Sequence, residues 1–210
     1  MKPYDAVLCD LDGVLRIYDP DGLASEGDFG LERGTVRAVA FEPELMNRAV
    51  TGEITDDQWQ EVIAERLTVL CGSAESATAL VQTFVAAPYW VDAPVLELLT
   101  EARRHVPVAL VTNATTRLER DLARAGLLNA FDAIVNSSAL GGAKPDRRIF
   151  EIAAEQVGAE IDRCLFIDDH PSNVQAAEAL GMAGVLYREP RDLGRALMAL
   201  LDDDHSSSSS

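Results

Sequence analysis

The stretch DAVLCDLDGV (residues 5–14) runs from apolar residues straight into two aspartates, Asp10 and Asp12, with Gly13 behind them. Side chains alternate along a strand, so both carboxylates project to one side. Two like charges that close repel, and burial makes the repulsion worse. A second apolar run closes on Thr112 and Asn113, a loop carries Lys144 between Gly142 and Pro145, and a later run closes on Asp168 and Asp169. Carboxylates gathered at one point need a counter-charge. A hard divalent cation supplies it, and Mg²⁺ typically takes one or two carboxylates together with waters and a substrate phosphate. Lys144 adds a fixed positive charge. Cation, ammonium, hydroxyl donor and backbone N–H groups together describe a phosphoryl site, where positioning and charge stabilisation do most of the work.

Those residues meet only if the runs that end on them lie side by side. PVALVTN (107–113), FDAIVNS (131–137), CLFIDD (164–169) and GVLYRE (184–189) are each of strand length, and helical spacing of apolar residues falls between them at 94–104, 116–126, 146–157 and 172–180. Strands alternating with helices predict βαβ units and a parallel sheet with helices on both faces, with ligands at the carboxyl ends of the strands. Gly126, Gly158 and Gly181 stand where those helices should stop. The predicted fold class is α/β, a three-layer α/β/α Rossmann-like core. The first strand is the exception, because turn-rich text and polar helical pieces near 31–40, 43–50, 55–70 and 75–86 follow it, with Thr55 or Asp56 as a plausible cap. Residues 1–15 and 89–201 are therefore assigned to the core and 16–88 to an inserted α-helical cap, while DDDHSSSSS (202–210) reads as a disordered tail.

Composition narrows the partners. Lys and Arg number 18 against 35 Asp and Glu, a net charge of −17, which argues against a protein that tracks the nucleic-acid backbone. A small anionic substrate remains compatible, since a local cation overrides the global field. Cys9, Cys71 and Cys164 are odd in number and lack metal-like spacing, and they read as reduced thiols. MKPYDAVLCD has none of the features of a signal peptide, and no apolar run approaches the ~18 residues of a membrane span. The expectation is a cytoplasmic protein with no membrane partner.

DLDGV, the run ending in VTN, the lysine of AKPDRRIF and the late FIDD resemble, in order, the motifs of the haloacid dehalogenase superfamily, and the insertion point of the cap is similar too. The resemblance implies that Asp10 is the nucleophile, forming an aspartyl-phosphate, and that Asp12 is the acid for the leaving oxygen and then the base that activates water. It further implies that Thr112 and the backbone at Asn113 bind the phosphoryl group and that Lys144 neutralises Asp10 and the phosphate. Asp169, with Asp168 directly or through water, would hold Mg²⁺ alongside Asp10 and the carbonyl of Asp12. A protonated Asp12 suits the first step, so acidic neighbours are expected around it. Halide leaves without protonation, and true dehalogenases of this superfamily lack an acid at the position of Asp12, so its presence favours phosphate chemistry.

The implied activity is Mg²⁺-dependent hydrolysis of a small phosphorylated metabolite, with a cap of this size leaning toward sugar phosphates, phosphoglycolate-like acids or nucleotides. A phosphosugar mutase shares every core motif, and a non-catalytic phosphate-sensing module shares the fold. Other residues have plainer readings. Thr112 and Asn113 equally suit capping of the helix at 116–126, His170 suits a solvent-facing position, and Trp59 and Trp90 suit a core or hinge more than the lining of a substrate pocket. Asn173 is a candidate brace for the acidic loop, and Arg16, Tyr18 and Arg33 lie near the cap entrance.

Overall fold

The computed structural model describes residues 2–19 and 24–201, so the expected disordered tail lies outside the described residues. Five apolar runs pair into one parallel sheet. β1 (Ala6–Cys9) is central, flanked by β4 (Val108–Thr112) and β6 (Cys164–Asp168), with β5 (Ala133–Asn136) outside β4 and β7 (Ala183–Leu186) outside β6. Every residue of β1, β4 and β6 is buried, which explains why these strands read as continuous apolar runs and not as alternating ones. Helices α5 (Ala93–Ala102) and α10 (Pro190–Leu201) pack Val95, Leu99, Leu193 and Leu197 against Val7, Cys9 and Ile167 on one face. On the other, α8 (Arg147–Gln156) and α9 (Pro171–Ala179) bring Ile149, Phe150 and Ala177 against Leu8, Val111 and Phe166. The three-layer α/β/α core is as expected.

Register decides where the chemistry falls. Cys9 lies opposite both Leu110 and Ile167, and the Asp10 N–H donates to the Ile167 carbonyl at 2.9 Å. Asp10, Thr112 and Asp168 thus share the carboxyl edge of the sheet.

Between the first strand and α5 the described residues form a short 3-10 helix (Ala24–Phe29) and four α-helices, α1 (Thr35–Ala40), α2 (Pro43–Val50), α3 (Asp56–Cys71) and α4 (Ala74–Val85). They bury their own apolar cluster, with Val36, Leu45, Trp59, Ile63, Leu67 and Leu80 at its centre. Thr55 caps α3 as foreseen, in a reciprocal box with Gln58. For α1 the cap comes from a distance: the buried Glu26 carboxylate accepts the Val36 N–H at 2.6 Å.

Three features differ from the sequence reading. The chain enters and leaves the helical module through an antiparallel ribbon, β2 (Arg16–Tyr18) paired with β3 (Tyr89–Val91), which was not foreseen and spans the boundaries drawn near 15–16 and 88–89. α6 (Leu118–Arg124) starts two residues later than expected, and a short α7 (Ser137–Leu140) follows β5 at once. No helix among the described residues is long and apolar enough to cross a membrane.

Candidate active site

Lys144 is at the centre of the strand-end cluster. Its ammonium lies 2.8 Å from Asp10 Oδ1 and 2.7 Å from Asp168 Oδ2, and donates to the Val111 carbonyl at 2.8 Å. All three protons of the ammonium therefore have partners. Burial opposes the charge on Lys144, but the two aspartates outweigh it and hold its pKa above the ordinary lysine range. The loop carrying Lys144 is fixed by Asn113, whose side-chain carbonyl accepts the Lys144 N–H at 2.7 Å while its amide donates to the Lys144 carbonyl at 2.8 Å. Asn113 thus clamps the lysine loop and does not cap α6. Thr112 closes β4, buried, beside Asn136.

Asp10 uses only one of its oxygens on the protein. Oδ1 accepts the Leu11 N–H at 2.7 Å and faces Lys144, and among the described residues Oδ2 carries no hydrogen bond. Burial pushes the Asp10 carboxyl up to about 7, against the pull of Lys144. Asp168 has both oxygens engaged: Asn173 donates to Oδ1 at 3.1 Å and Oδ2 at 3.0 Å, and the His170 N–H reaches Oδ1 at 2.8 Å. Asn173 does brace the acidic loop. His170 is exposed and precedes α9.

Asp169 tests whether a cation fits. Among the described residues its buried Oδ1 has no hydrogen-bond partner, a costly state for a carboxylate unless something else meets it. One oxygen each of Asp10, Asp168 and Asp169 lies within 4.8 Å of the others, and burial raises the Asp169 pKa. An all-oxygen set with an orphaned carboxylate fits a hard divalent ion. Gly13 lets Asp169 come this close. At Gly13 a Cβ would stand 2.3 Å from Asp169 Oδ2, and its φ of +84° is one that side chains rarely adopt.

Asp12 stands apart from that cluster. Arg16 forks onto it, Nε to Oδ1 at 2.6 Å and Nη2 to Oδ2 at 2.8 Å. The expected acidic surroundings are replaced by a guanidinium, and the Asp12 carboxylate stands outside the oxygen cluster of Asp10, Asp168 and Asp169. Arg16 Nη1 is also 3.6 Å from Asp121 Oδ2, and Arg117 Nε donates to that same oxygen at 2.9 Å. Arg117 Nη2 donates to the Val85 carbonyl at 3.0 Å, at the end of α4, so a chain of ion pairs runs from Asp12 to the helical module. A second join lies at the start of α3, where Asp56 accepts the Thr115 hydroxyl at 2.6 Å and the Asp56 N–H donates to the Thr116 hydroxyl at 2.9 Å.

Above Asp12, Gly13 and Asp169 opens a cavity of about 550 Å³ between the sheet edge and the helical module. Arg16 and Tyr18 line it, but so do Arg37, Phe41 and Arg117, which the sequence reading had not singled out, and Asp56, which it offered only as a helix cap. Trp59 lines it while belonging to the buried cluster of the module, and its Nε1 donates to the Ala40 carbonyl at 3.1 Å. Trp90 is half-exposed on β3. Arg117 and Asp121 did carry a signal, opposite charges at i, i+4 on a helix start.

A parallel α/β sheet with acids and a lysine at its carboxyl edge, under an inserted helical module, defines a class of hydrolase cores. The chain belongs to the haloacid dehalogenase-like hydrolase family, whose model matches residues 4–181. It is 30% identical over 187 residues to a phosphatase of Mycobacterium tuberculosis, covering 81% of this chain and 85% of that one. A haloacid dehalogenase family enzyme of Bacteroides thetaiotaomicron, solved with magnesium and inorganic phosphate, superposes with a TM-score of 0.68 at 21% identity over 86% of this chain and 92% of that one. L-2-haloacid dehalogenase of Xanthobacter autotrophicus superposes with a TM-score of 0.61 at 20% identity, over 95% of this chain and 87% of that one. The chain is thus a hydrolase of this family with phosphatase relatives.

Proposed function

We propose that the protein is a Mg²⁺-dependent phosphomonoester hydrolase acting on a small phosphorylated metabolite through an aspartyl-phosphate on Asp10. The observation that carries this reading is the asymmetry of Asp10, whose Oδ1 is pinned by Leu11 N–H and Lys144 while Oδ2 has no hydrogen-bond partner among the described residues. Oδ2 attacks phosphorus, the bond from phosphorus to the leaving oxygen breaks, and Asp12 gives that oxygen its proton. Asp12 then takes a proton from water, whose oxygen attacks phosphorus, releasing phosphate and restoring the Asp10 carboxylate. Asp10 and Asp169, with the carbonyl of Asp12, would hold Mg²⁺, which screens the charge between a carboxylate nucleophile and a phosphate dianion. Lys144 performs the same screening from the protein side, Thr112 and the Asn113 backbone receive the phosphoryl oxygens, and Asp168 orients Lys144. Residues 16–88 act as the cap that excludes water.

Dehalogenation has the weaker support, because Asp12 would be idle when halide leaves. Protonation of the Asp12 carboxyl removes the charge that the Arg16 fork grips and leaves one oxygen a poor acceptor, so proton transfer requires that the fork loosen. The test is phosphate release from a panel of phosphorylated compounds with and without Mg²⁺, using the native chain beside Asp10→Asn. Metal-dependent release that falls at least a thousandfold in Asp10→Asn is expected. Release that survives in the variant removes the nucleophile assignment, and isomerised sugar phosphates in place of phosphate would make the protein a mutase.

A further inference from the structure

Among the described residues, the face that the helices α1–α4 and the segment after α4 turn to the cavity is formed by Phe41, Met46, Trp59, Phe84, Val85 and Ala87, with Arg37 and Asp56 between them. Phe41 and Phe84 meet edge to face with centroids 6.3 Å apart, and the Arg37 guanidinium carbon lies over the Phe41 ring, 5.0 Å from its centroid. Phe41 is 44% exposed, and with Met46 and Phe84 on the same cavity it forms apolar surface grouped in one place and not scattered singly. Of the polar groups on this wall and next to it, Asp56, Trp59 and Arg117 are engaged within the protein. Asp56 is held by Thr115 and Gln60, Arg117 by Asp121 and Val85, and the Trp59 donor by Ala40. Asn113 is spent on the Lys144 loop.

A polyhydroxylated leaving group placed here would lose water from its hydroxyls and find few partners in exchange, which penalises binding at each one. An apolar body would instead shed water against aromatic and thioether surface. We propose that the leaving group accepted by this protein is an apolar alcohol, alkyl or aryl, and not a sugar or nucleoside. The substrate would be an amphiphilic monophosphate, with its charged end at the Lys144 cluster and its hydrocarbon against Phe41, Met46 and Phe84. This rests on the hydrolase reading for the orientation of the phosphate, and it replaces the leaning toward sugar phosphates that cap size alone suggested.

The experiment pairs turnover with binding. Hydrolysis of methyl, butyl, hexyl and octyl phosphate is compared with that of glucose 6-phosphate and a nucleoside monophosphate, and the alkylphosphonates of the same lengths, which cannot be hydrolysed, are titrated by calorimetry in the presence of Mg²⁺. The expected kcat/KM and phosphonate affinity both climb, about threefold for each added methylene until the cavity is filled, and glucose 6-phosphate falls at least a hundredfold below octyl phosphate. Phe41→Ser, at an exposed position that should tolerate the change, is expected to cut the octyl-to-methyl ratio about tenfold. Phosphonate affinity that is flat along the series, or sugar phosphates turned over faster than octyl phosphate, overturns the apolar assignment. Climbing phosphonate affinity with no phosphate release from any compound would overturn the hydrolase reading and leave the apolar cavity standing.

Discussion

Lys144 and Arg16 each stand between two aspartates, yet the two trios are built for different behaviour. The Lys144 side chain is 1% exposed and its partners Asp10 and Asp168 are 8% and 0% exposed, so that trio is sealed into the sheet edge. Arg16 is nearly as buried at 8%, but Asp12 on its outer side is 40% exposed, and Asp121 waits behind at 3.6 Å. A lysine is a point charge whose three donors are shared out among its neighbours. A guanidinium instead grips one carboxylate with a two-pronged fork, as Arg16 does Asp12, and keeps a further N–H for a second, here Asp121. The difference matches what the proposed chemistry asks of the two acids. A nucleophile has to stay where it is, and the residue that moves a proton has to reach the leaving group and then water.

The largest effect is expected from breaking the sealed trio. Lys144→Met keeps the length of the stem and strands two buried carboxylates with no cation, which should cost about 3–5 kcal/mol of stability and silence turnover. Urea unfolding followed by circular dichroism reads the first, and phosphate release the second. A loss below about 1 kcal/mol, typical of exposed ion pairs, would mean that the trio is solvated and the contrast with Arg16 false.

Gly13→Ala comes next, because it presses on Asp169 without touching any charge. The new Cβ would stand 2.3 Å from Asp169 Oδ2 at a φ of +84°. The backbone alone should cost about 1–3 kcal/mol. Displacing the carboxylate with the orphaned oxygen should weaken Mg²⁺ binding about 10–100-fold. Calorimetric titration with Mg²⁺ measures this independently of activity. Unchanged affinity in a folded variant would take Asp169 out of the metal site and place the cation, if one binds, elsewhere on the sheet edge.

The sealed trio was legible in the sequence and the rim was not, for a physical reason. A charged residue that terminates an apolar run is an anomaly, since the strand is going to be buried and the charge must be answered. Asp10, Asp168 and Asp169 announce themselves that way, and the parallel topology brings them to one edge. Asp121 gives no such warning. It sits in LERDLAR, a helix start that reads as a solvated face, and its burial depends on Arg16 arriving from a hundred residues away. Asn113 was placed correctly at the strand end, but its use as a clamp on Lys144 depends on where α6 begins, and strand and helix limits are what periodicity fixes least. The ribbon of β2 and β3 escaped because three residues are too few to show a period. The aromatic wall escaped because Phe41 and Phe84 are indistinguishable from core residues until the helices are packed.

The smallest and most discriminating effect should come from Arg16→Lys. A lysine retains the charge next to Asp12 and Asp121 but cannot bind both Asp12 oxygens at once. If the fork holds Asp12 back until substrate arrives, loosening it helps the step that needs the acid most. Departure of an alkoxide requires a proton, and departure of nitrophenolate hardly does. The rate ratio of butyl phosphate to nitrophenyl phosphate should therefore rise several-fold in Arg16→Lys, on the order of 1 kcal/mol of barrier. Asp12→Ala should move the same ratio far in the opposite direction, because it removes the acid itself. A ratio that falls in both variants would show that Arg16 aims Asp12 at the leaving oxygen and does not restrain it, and the rim trio would then be as fixed in its function as the one around Lys144.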